Sequence, residues 1–544
     1  MWGTNAREAH PIFFHHVLKG IRNGAKLYGV DPRRSTTAQW ADAWLGINVG
    51  SDISLANAIG NEIIQAGLVD EEFIRRGTVN FEAYKEHVAK YPLERAERDS
   101  GVPKELIRQL AHDYARADRA QLCWTLGITE HHNATDNVLA LINLALLTGH
   151  VGKYGSGLVP LRGQNNVQGG GDMGAIPNKL VGFQDIALDH DARERFGAKY
   201  GVPIPTTAGM HLSQMFDAME RGELTCAYVI GENPVNSEAD THHTRKMLQG
   251  LECLVVQDIV LTETAKLADV VLPGTASWCE AEGTVTSSER RVQRCRKAID
   301  PPAGARDDIE IIGELAKRLG YDWGDPSAED LWEEVRELSP MHRGMSYEKM
   351  ERLGGLQWPC PDEESEGTLF LHARLWEEDP AKRGTPAPFS PVEQADPLDT
   401  LTGEYPIRLT TGRRLDSYNT GMASNQFSTP LRRPETLNLS PEDAANLGLA
   451  DHEIAKISSR RGAITAPVRV DGTLREGLAF MTLHFPDQVE TNILTLDTWD
   501  PKSGTAEFKA TAIRVEKASP EEAAAHNERT QIPEVIRELP SSLA

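Results

Sequence analysis

Residues 24–45 read GAKLYGVDPRRSTTAQWADAWL, and residues 251–272 read LECLVVQDIVLTETAKLADVVL. In each stretch an apolar run ends in an aspartate, Asp31 or Asp258, and the same spacing of Thr-Ala, Ala-Asp and Leu follows. Apolar strands that end in a carboxylate are typical of nucleotide-binding α/β folds. The repeat therefore predicts one α/β nucleotide-binding unit that occurs twice, for two similar cofactors or for one cofactor with two similar halves.

The correspondence extends upstream of both stretches. Gly3-Thr4-Asn5 precedes the first copy, and Gly231-Glu232-Asn233 precedes the second. The second copy has a strand-like run, residues 226–230, directly before its glycine, whereas the first copy has only Met1-Trp2 at that place. We therefore expect the first unit to lack a strand, so that a neighbouring strand exposes backbone groups and apolar side chains.

The composition excludes several classes of protein. With 544 residues and a net charge of -23, the chain is long enough for several domains and is a poor match to a nucleic-acid-binding or anionic-membrane-binding protein. No apolar run is long enough for a membrane span, and the first residues lack the pattern of a signal peptide, so the default expectation is a cytoplasmic protein. The six cysteines contain no Cys-x-x-Cys pair, which argues against an iron–sulfur or zinc site and against a disulfide framework within this chain.

The predicted secondary structure changes in character along the chain. Strands alternate with helices up to about residue 320, which is typical of parallel, doubly wound sheets, and from residue 405 the runs alternate in polarity like strands of a barrel. The predicted fold class is α/β, with two related doubly wound, Rossmann-like nucleotide-binding domains and a C-terminal β-barrel domain. The predicted segments are a first α/β domain without its first strand (1–160), a glycine-rich substrate loop with a partial second α/β domain (161–320), a connecting segment (321–400), the barrel (401–520) and a tail (521–544).

The two repeated aspartates are the first candidates for a ligand site. A carboxylate at the carboxyl end of a parallel strand is the group with which doubly wound folds hold a ribose or a base edge. Asp31 and Asp258 fit that role. The alternative is that each only caps a helix or closes a turn, which Asp favours in any protein. The duplication, with a Gly-x-Asn ahead of each copy, favours ligand binding.

The glycine-rich stretch LRGQNNVQGGGDMG, residues 161–174, is the second candidate. Its glycines would let backbone N–H groups approach a ligand closely. Four side-chain amides add donors and acceptors: Gln164, Asn165, Asn166 and Gln168. Arg162 could offer a planar, two-pronged contact to a carboxylate or a phosphate. The stretch is too polar and too rich in glycine to predict a helix or a strand, and simple disorder is the alternative interpretation.

The adjacent histidine pairs at 15–16, 131–132 and 242–243 do not predict metal sites, because neighbours on a helix face different directions. Cys279 has no basic neighbour in sequence that could activate it as a nucleophile. We therefore predict no protein metal ligand within this chain.

Several stretches resemble molybdenum- or tungsten-dependent formate dehydrogenases that bind molybdopterin. The resemblance covers residues 1–517 and rests on LALLTGHVGKYGSGLVPLRGQNNVQGGGDMG, LVVQDIVLTETAKLADVVLPGTA, GTVTSSERRVQR, SYEKMERLGGLQWPC and LTTGRRLDSYNTG. It implies a metal, Mo or W, held by two molybdopterin guanine dinucleotides, so that each copy of the repeat would hold one guanine nucleotide.

The resemblance also implies roles for individual residues. Arg162 corresponds to the arginine that orients formate beside the metal. The implied cofactor contacts are Asn5, Asp31, Arg33, Asp52, Gly127, Thr129, Asn165, Asn166, Gly231, Asn233, Gln257, Asp258, Thr262, Arg413, Asn492 and Lys509.

The chain departs from the family in one respect. Members of the family begin with a cysteine-rich 4Fe-4S domain and carry a Cys or selenocysteine metal ligand followed by His, and none of the six cysteines here lies in such a context. The implied function is formate oxidation to carbon dioxide by a catalytic-subunit segment, completed by an N-terminal segment or subunit that carries the cluster and passes electrons to an acceptor protein. The chain alone would be inactive. One alternative is a truncated or split protein that binds molybdopterin nucleotide without catalysis. Another is a nicotinamide dehydrogenase, which the absence of a strand–GxGxxG–helix signature disfavours.

Overall fold

The structure is a computed structural model that describes residues 1–277, 279–415, 417–420 and 435–530. The chain forms two compact units. Unit 1 comprises residues 1–159, 234–245 and 372–544, and unit 2 comprises residues 160–233 and 246–371. The segment 321–400, predicted as a connection, is thus divided between the units after residue 371. The part of the predicted tail after residue 530 lies outside the described residues.

The helices, in chain order, are α1 Ala6–Ala9, α2 Pro11–Arg22, α3 Asp52–Gln65, α4 Glu71–Gly77, α5 Phe81–Val88, α6 Leu93–Ser100, α7 Lys104–Arg116, α8 Leu126–Thr129, α9 Ala134–Thr148, α10 Val167–Asp172, α11 His190–Tyr200, α12 Leu212–Glu220, α13 Pro234–Ser237, α14 Thr241–Gln249, α15 Asp308–Arg318, α16 Ala328–Leu338, α17 Tyr347–Leu353, α18 Pro441–Asn446 and α19 Pro520–Arg529. None of the helices in the described ranges combines the length and the apolar character that crossing a membrane requires.

The strands are β1 Tyr28–Val30, β2 Ala43–Leu45, β3 Thr78–Val79, β4 Gln121–Trp124, β5 Gly157–Pro160, β6 Lys179–Leu180, β7 Gln184–Asp185, β8 Cys226–Ile230, β9 Cys253–Asp258, β10 Val270–Pro273, β11 Gly283–Thr286, β12 Arg291–Cys295, β13 Leu356–Gln357, β14 Ala387–Pro388, β15 Ile407–Gly412, β16 Leu437–Leu439, β17 Ile454–Ser458, β18 Ala463–Val470, β19 Leu478–Thr482 and β20 Thr511–Lys517. Both parallel strand pairs and the barrel were expected from the sequence.

The sequence repeat is also a structural repeat. In unit 1, β1 pairs in parallel with β2, and in unit 2, β9 pairs in parallel with β10. In both copies the second aspartate of the repeat fixes the start of the first strand. The Leu27 N–H donates to Asp42 Oδ2 at 2.7 Å, and the Leu254 N–H donates to Asp269 Oδ2 at 2.7 Å. The duplicated α/β unit predicted from the sequence is therefore confirmed down to its hydrogen bonds.

Residues 1–3 occupy the place of the strand that the sequence predicts to be missing in unit 1. Trp2 forms parallel bridges with Val30 of β1 on one side and with Trp124 of β4 on the other, and its side chain is buried. In unit 2 the full strand β8 pairs with β9. The strand β10 of this second sheet exposes apolar side chains, among them Val270, which is 45% exposed. The expectation of exposure beside the first sheet was therefore wrong, because Trp2 covers that site.

The barrel of unit 1 is closed by six strands in the order β15-β19-β16-β18-β17-β20. Its interior contains apolar side chains from every strand, among them Leu409, Leu439, Ile457, Ala479 and Ile513, all of them buried. Closure removes the unpaired edges that an open sheet would expose. The predicted C-terminal barrel is confirmed, and it carries the rims on which several candidate residues lie.

The glycine-rich stretch contains a helix that the sequence did not predict. Residues 167–172 form α10, although three of these six residues are glycines. Tertiary contacts stabilise this helix. Asn166, in the left-handed conformation just before it, accepts a hydrogen bond from the Thr286 N–H at 2.9 Å. The prediction of neither helix nor strand was wrong here, because it weighed local propensity and could not include the partner strand β11.

The repeat supplies a matched test of backbone packing. Gly3 and Gly231 both have positive φ, +57° and +62°, but a Cβ on Gly3 would lie 2.8 Å from the carbonyl carbon of Gly127, whereas a Cβ on Gly231 would have nothing within 4 Å. Both alanine variants should lose about 1–2 kcal/mol to strain. Gly3→Ala should lose about 1–3 kcal/mol more, because the backbone of Gly127 must move. Equal losses in urea unfolding would contradict this packing argument.

Candidate functional site

Asp31 lies at the carboxyl end of β1, where a turn holds it. Its Oδ1 accepts the Arg33 N–H at 2.9 Å, and its carbonyl oxygen accepts the Trp44 indole N–H at 2.8 Å. Burial raises the pKa of the Asp31 carboxyl to about 6, against the opposing charges of Arg33 and Lys509. The Arg33 guanidinium stacks 3.7 Å from the ring centre of Phe480. Asp31 is therefore a poorly hydrated carboxylate that would gain from N–H donors on a ligand.

Asp258 occupies the equivalent place at the end of β9 in unit 2. Its Oδ1 accepts the N–H groups of Ile259 at 2.7 Å and Val260 at 3.4 Å. Burial raises the pKa of this carboxyl as well. Both aspartates thus take part in turns, as the alternative interpretation held, and both still present a desolvated carboxylate, as the ligand interpretation requires.

Asn5 and Asn233 perform the same structural task in the two copies. Asn5 Oδ1 accepts the N–H and the hydroxyl of Thr37, both at 3.1 Å. Asn233 Oδ1 accepts the N–H of Thr264 at 3.1 Å and its hydroxyl at 2.7 Å. The Nδ2 of Asn5 is buried and has no hydrogen-bond partner among the described residues. Since an unsatisfied buried donor is costly, this amide is suited to an acceptor atom of a bound ligand.

Two further candidates in unit 2 use their side chains internally. Gln257 is 1% exposed, donates from Nε2 to Asp308 Oδ1 at 2.6 Å and accepts a hydrogen bond from the Tyr228 hydroxyl. Thr262 Oγ1 accepts the Ala265 N–H at 3.0 Å and caps the short turn of the repeat. Any cofactor contact by Gln257 or Thr262 would therefore come from the backbone, as it would for Gly231, which has no side chain.

Asp52 and Gly127 lie beside the first copy of the repeat. Asp52 begins α3 and accepts the Trp2 indole N–H at 2.8 Å, and burial raises the pKa of its carboxyl. The Gly127 N–H donates to the carbonyl oxygen of Gly3 at 3.1 Å, and a Cβ on Gly127 would lie 2.5 Å from that oxygen. Glycine at 127 is thus required by the close approach of two backbones, and Thr129 ends the short helix α8 that follows.

Arg162 is exposed and belongs to a hydrogen-bonded chain within unit 2. Its Nε donates to Gln168 Oε1 at 3.0 Å, and its backbone N–H donates to Ser288 Oγ at 3.2 Å. Gln168 Nε2 in turn donates to Asp172 Oδ1 at 2.8 Å. Of the neighbouring amides, Asn165 is exposed, whereas the Asn166 side chain is engaged with β11. A guanidinium is planar and carries paired N–H donors, so its shape is suited to a small carboxylate.

The three barrel candidates lie in unit 1. Lys509 is buried, and its Nζ lies 2.7 Å from Glu130 Oε2 and donates to the Thr411 carbonyl at 3.0 Å. Asn492 Nδ2 donates to the carbonyl of Asn236 at 3.0 Å and so secures α13. Arg413 Nε donates to Asn419 Oδ1 at 3.4 Å, while its Nη1 is buried without a hydrogen-bond partner in the described residues. Arg413 therefore joins Asn5 as a donor suited to a ligand.

Glu507 connects the barrel to the first α/β domain and was not among the candidates from the sequence. Its side chain is 2% exposed, accepts the His132 N–H at 3.0 Å and lies 3.4 Å from His131 Nδ1. Although burial opposes it, the two histidines hold the pKa of the Glu507 carboxyl well below its usual range. The same carboxylate raises the pKa of His131 despite the burial of the imidazole. The adjacent histidines were the only signal in the sequence, and their partner is 375 residues away.

The described residues contain one group of three potential metal ligands within reach of one another, His190, Asp191 and Glu194, and all three are exposed. Of the six cysteines, Cys123 and Cys360 are buried and none forms a disulfide. In each unit, taken by itself, the candidate residues are carboxylates, amides and guanidinium groups, which suit a polar organic ligand with phosphate or purine groups.

The raised pKa of Asp31 predicts an unusual stability effect. The carboxyl titrates near 6 in the folded protein and at 3.8 ordinarily, so folding binds a proton between those pH values and the ionised form destabilises the fold above pH 6. Asp31→Asn should therefore stabilise the cofactor-free protein at pH 7–8, by at most about 3 kcal/mol, with the gain vanishing toward pH 4. Thermal unfolding across this pH range measures it. Asp42→Asn, which weakens the hydrogen bond from the Leu27 N–H, should destabilise the protein instead. A loss of stability in both variants at pH 7.5 would contradict the raised pKa of Asp31.

Comparison with known proteins matches this chain over nearly its whole length. The family model described as "Molybdopterin oxidoreductase" matches residues 1–318, and the one described as "Molydopterin dinucleotide binding domain" matches residues 407–512. The F420-dependent formate dehydrogenase subunit alpha of Methanocaldococcus jannaschii is 39% identical over 521 residues, which cover 95% of this chain and 76% of that protein. Formate dehydrogenase H of Escherichia coli is 37% identical over 96% of this chain and 73% of its own length.

Among solved structures, acetylene hydratase from Pelobacter acetylenicus superposes with a TM-score of 0.70. The match covers 93% of this chain and 75% of that protein at 21% identity, so the two proteins share a fold.

Proposed function

Because the chain belongs to the molybdopterin oxidoreductase family, we propose that this oxidoreductase converts formate to carbon dioxide at a molybdopterin-bound molybdenum or tungsten centre. The observation that carries the proposal is the arginine and amide cluster around Arg162 in a chain whose relatives at 37–40% identity are named formate dehydrogenases. The reaction turns the formate anion into carbon dioxide and releases one proton and two electrons.

The cofactor would be a pair of molybdopterin guanine dinucleotides, one for each copy of the repeat. Asp31 and Asp258 support this assignment, because a desolvated carboxylate at a strand end is a strong acceptor for the N–H groups of a guanine. The unsatisfied donors of Asn5 and Arg413 fit the acceptor atoms of such a group. Glycine at 3 and 127 keeps the backbone close-packed at the first site. When bound, the metal and its pterins supply the two-electron redox chemistry.

Arg162 would bind and orient the substrate. Formate is the smallest carboxylate, so a planar guanidinium can meet both of its oxygens with parallel hydrogen bonds. Holding the anion in one orientation lowers the barrier by removing freedom that the substrate would otherwise lose at the transition state. Because Arg162 carries a permanent positive charge, it also holds the substrate as the anion rather than as the neutral acid.

The two electrons would leave through a 4Fe-4S cluster on a segment or subunit other than these 544 residues, and then pass to an acceptor protein. The support is the distribution of the six thiols: Cys226 lies opposite Cys253 in strands β8 and β9, and among the described residues no three cysteines come close enough together to hold one metal ion. A cluster needs four thiolates around one point. We therefore propose that the purified chain by itself does not oxidise formate.

The test compares the chain purified alone with the chain purified together with the cluster-bearing polypeptide from the same genome. Formate-dependent dye reduction should be absent in the first preparation and present in the second. Activity of the chain alone would refute the need for a partner. A complex that contains cluster, metal and pterin but oxidises no formate would refute the substrate and leave a non-catalytic molybdopterin-binding protein.

A further inference from the structure

Three separate stretches of sequence converge at Arg162 within unit 2. They are the glycine-rich stretch with α10, the hairpin β11–β12, and the residues that follow β13. Trp358, after β13, donates its indole N–H to Asp172 Oδ2 at 2.8 Å, and Gln168 donates to the other oxygen, Oδ1, at 2.8 Å. Gln168 and Asp172 are four residues apart on α10, so they share one face of the helix.

This chain of bonds has a single consistent direction. Asp172 is 0% exposed, and an ionised carboxylate can only accept hydrogen bonds, so the Gln168 side chain must turn its NH₂ group toward Asp172. Its carbonyl oxygen, Oε1, then faces Arg162, whose Nε can only donate. The Trp358 indole, also only a donor, fixes the second oxygen of Asp172. The buried carboxylate of Asp172 thereby determines that the carbonyl end of the Gln168 amide faces Arg162.

The surroundings reinforce this direction. Gln168 and Trp358 are buried, so water does not compete for their hydrogen bonds. The Arg290 guanidinium lies 5.2 Å from the ring centre of Trp358 and donates to the carbonyls of Trp358 and Thr368, which holds the indole in place. Burial raises the pKa of the Asp172 carboxyl, and the hydrogen bonds from Gln168 and Trp358 together with the charge of Arg162 act against this rise in favour of the ionised form.

We propose that Gln168, Asp172 and Trp358 are positioning residues that fix the plane of the Arg162 guanidinium, and with it the orientation of a small carboxylate substrate. The inference rests on the proposed function for its substrate, but the hydrogen-bonded chain itself can be tested without catalysis. None of the three positioning residues needs to touch the substrate, because their effect is transmitted through Arg162.

The decisive variant is Asp172→Asn in the complex with the cluster-bearing polypeptide. Asparagine can present its own NH₂ group to Gln168, so the Gln168 amide can turn over and lose the acceptor that holds Arg162. We expect kcat/KM for formate to fall about tenfold to a hundredfold, mainly through KM, with metal and pterin content unchanged. Gln168→Met, which removes the acceptor without altering the pair of Asp172 and Trp358, should give the same change.

Trp332→Phe is the matched control for Trp358→Phe. Trp332 is also buried in unit 2, and its indole donates to the carbonyl of Met345 at 2.6 Å, outside this chain. Both variants should lower the stability of the protein by similar amounts. Only Trp358→Phe should raise KM for formate, severalfold, whereas Trp332→Phe should leave KM unchanged. Equal effects of the two variants on KM would overturn the proposal.

Hydrogen exchange tests the hydrogen-bonded chain at Arg162 separately from formate oxidation. With arginine labelled at Nε, the Arg162 Nε–H should exchange slowly in the wild type and about ten times faster or more in Asp172→Asn and Gln168→Met. Protection that persists in both variants, or full turnover with wild-type KM in both, overturns the positioning chain. A wild-type complex that shows the protected N–H but oxidises no formate instead overturns the proposed function and leaves the chain in place.

Discussion

Arg162→Ala is expected to reduce formate oxidation at least a hundredfold in the complex, with metal and pterin content unchanged. The guanidinium supplies both the charge and the planar pair of donors that would hold formate, and Gln168 fixes its orientation. Arg162→Lys keeps the charge but loses the planar fork, so it should retain the cofactor and still lose most of the turnover. Formate-dependent dye reduction and metal analysis of the same preparations measure both quantities.

Arg318→Ala is the control for these variants, because this exposed arginine of unit 2 forms an i, i+4 ion pair with Glu314 and its removal should be neutral. If Arg162→Lys is depleted of metal and pterin, the arginine belongs to the cofactor site. If it is fully loaded and oxidises formate normally, the substrate role is wrong.

Glu507→Gln is expected to lower the stability of unit 1 strongly. The carboxylate is buried between His131, His132 and the Lys509 N–H, so its removal leaves charged and polar groups without their acceptor. Breaking one side of a buried charge pair costs about 3–5 kcal/mol. Glu94→Gln breaks an exposed pair with Lys104 that water screens, and it should cost far less.

The pH dependence of this loss follows from the two opposite pKa shifts. The lowered pKa of Glu507 contributes stability at pH values above its ordinary range, and the raised pKa of His131 contributes stability below the ordinary range of histidine. The cost of Glu507→Gln should therefore be greatest near pH 5–6 and should shrink as the pH rises past the pKa of His131. Thermal unfolding at a series of pH values measures this, and a cost that grows steadily toward pH 9 would contradict the charge pairing.

The sequence was sufficient for the parts of the fold that depend on local pattern. The repeated aspartates, their spacing and the alternating runs after residue 405 predicted two parallel sheets and the barrel, and the structure has them. It was insufficient where distant contacts decide. Helix α10 contains three glycines and is held by Thr286 and Trp358, so local propensity predicts a loop.

The candidate site residues show the same difference between local sequence pattern and distant contacts. Asp31 and Asp258 became candidates because the repeat aligns them, and at the ends of their strands burial raises the pKa of both carboxyls. Gln257 belongs to the same motif, but its side chain points between Tyr228 and Asp308, which only the folded structure reveals. Glu507 belongs to no sequence motif, and it became a candidate only because it contacts two histidines that are distant in the sequence.

The central claim is that the two copies of the repeat each hold one guanine nucleotide of a molybdopterin cofactor. Its most direct test is the number of guanine nucleotides released by acid per metal atom from the purified complex and from its Asp31→Ala and Asp258→Ala variants. Each change removes a charge-assisted hydrogen bond worth about 1.5–3 kcal/mol, a factor of roughly ten to a hundred and fifty in affinity. The account predicts two nucleotides per metal in the wild type and a lower number in each variant. Wild-type nucleotide content in both variants would show that the repeat is only structural.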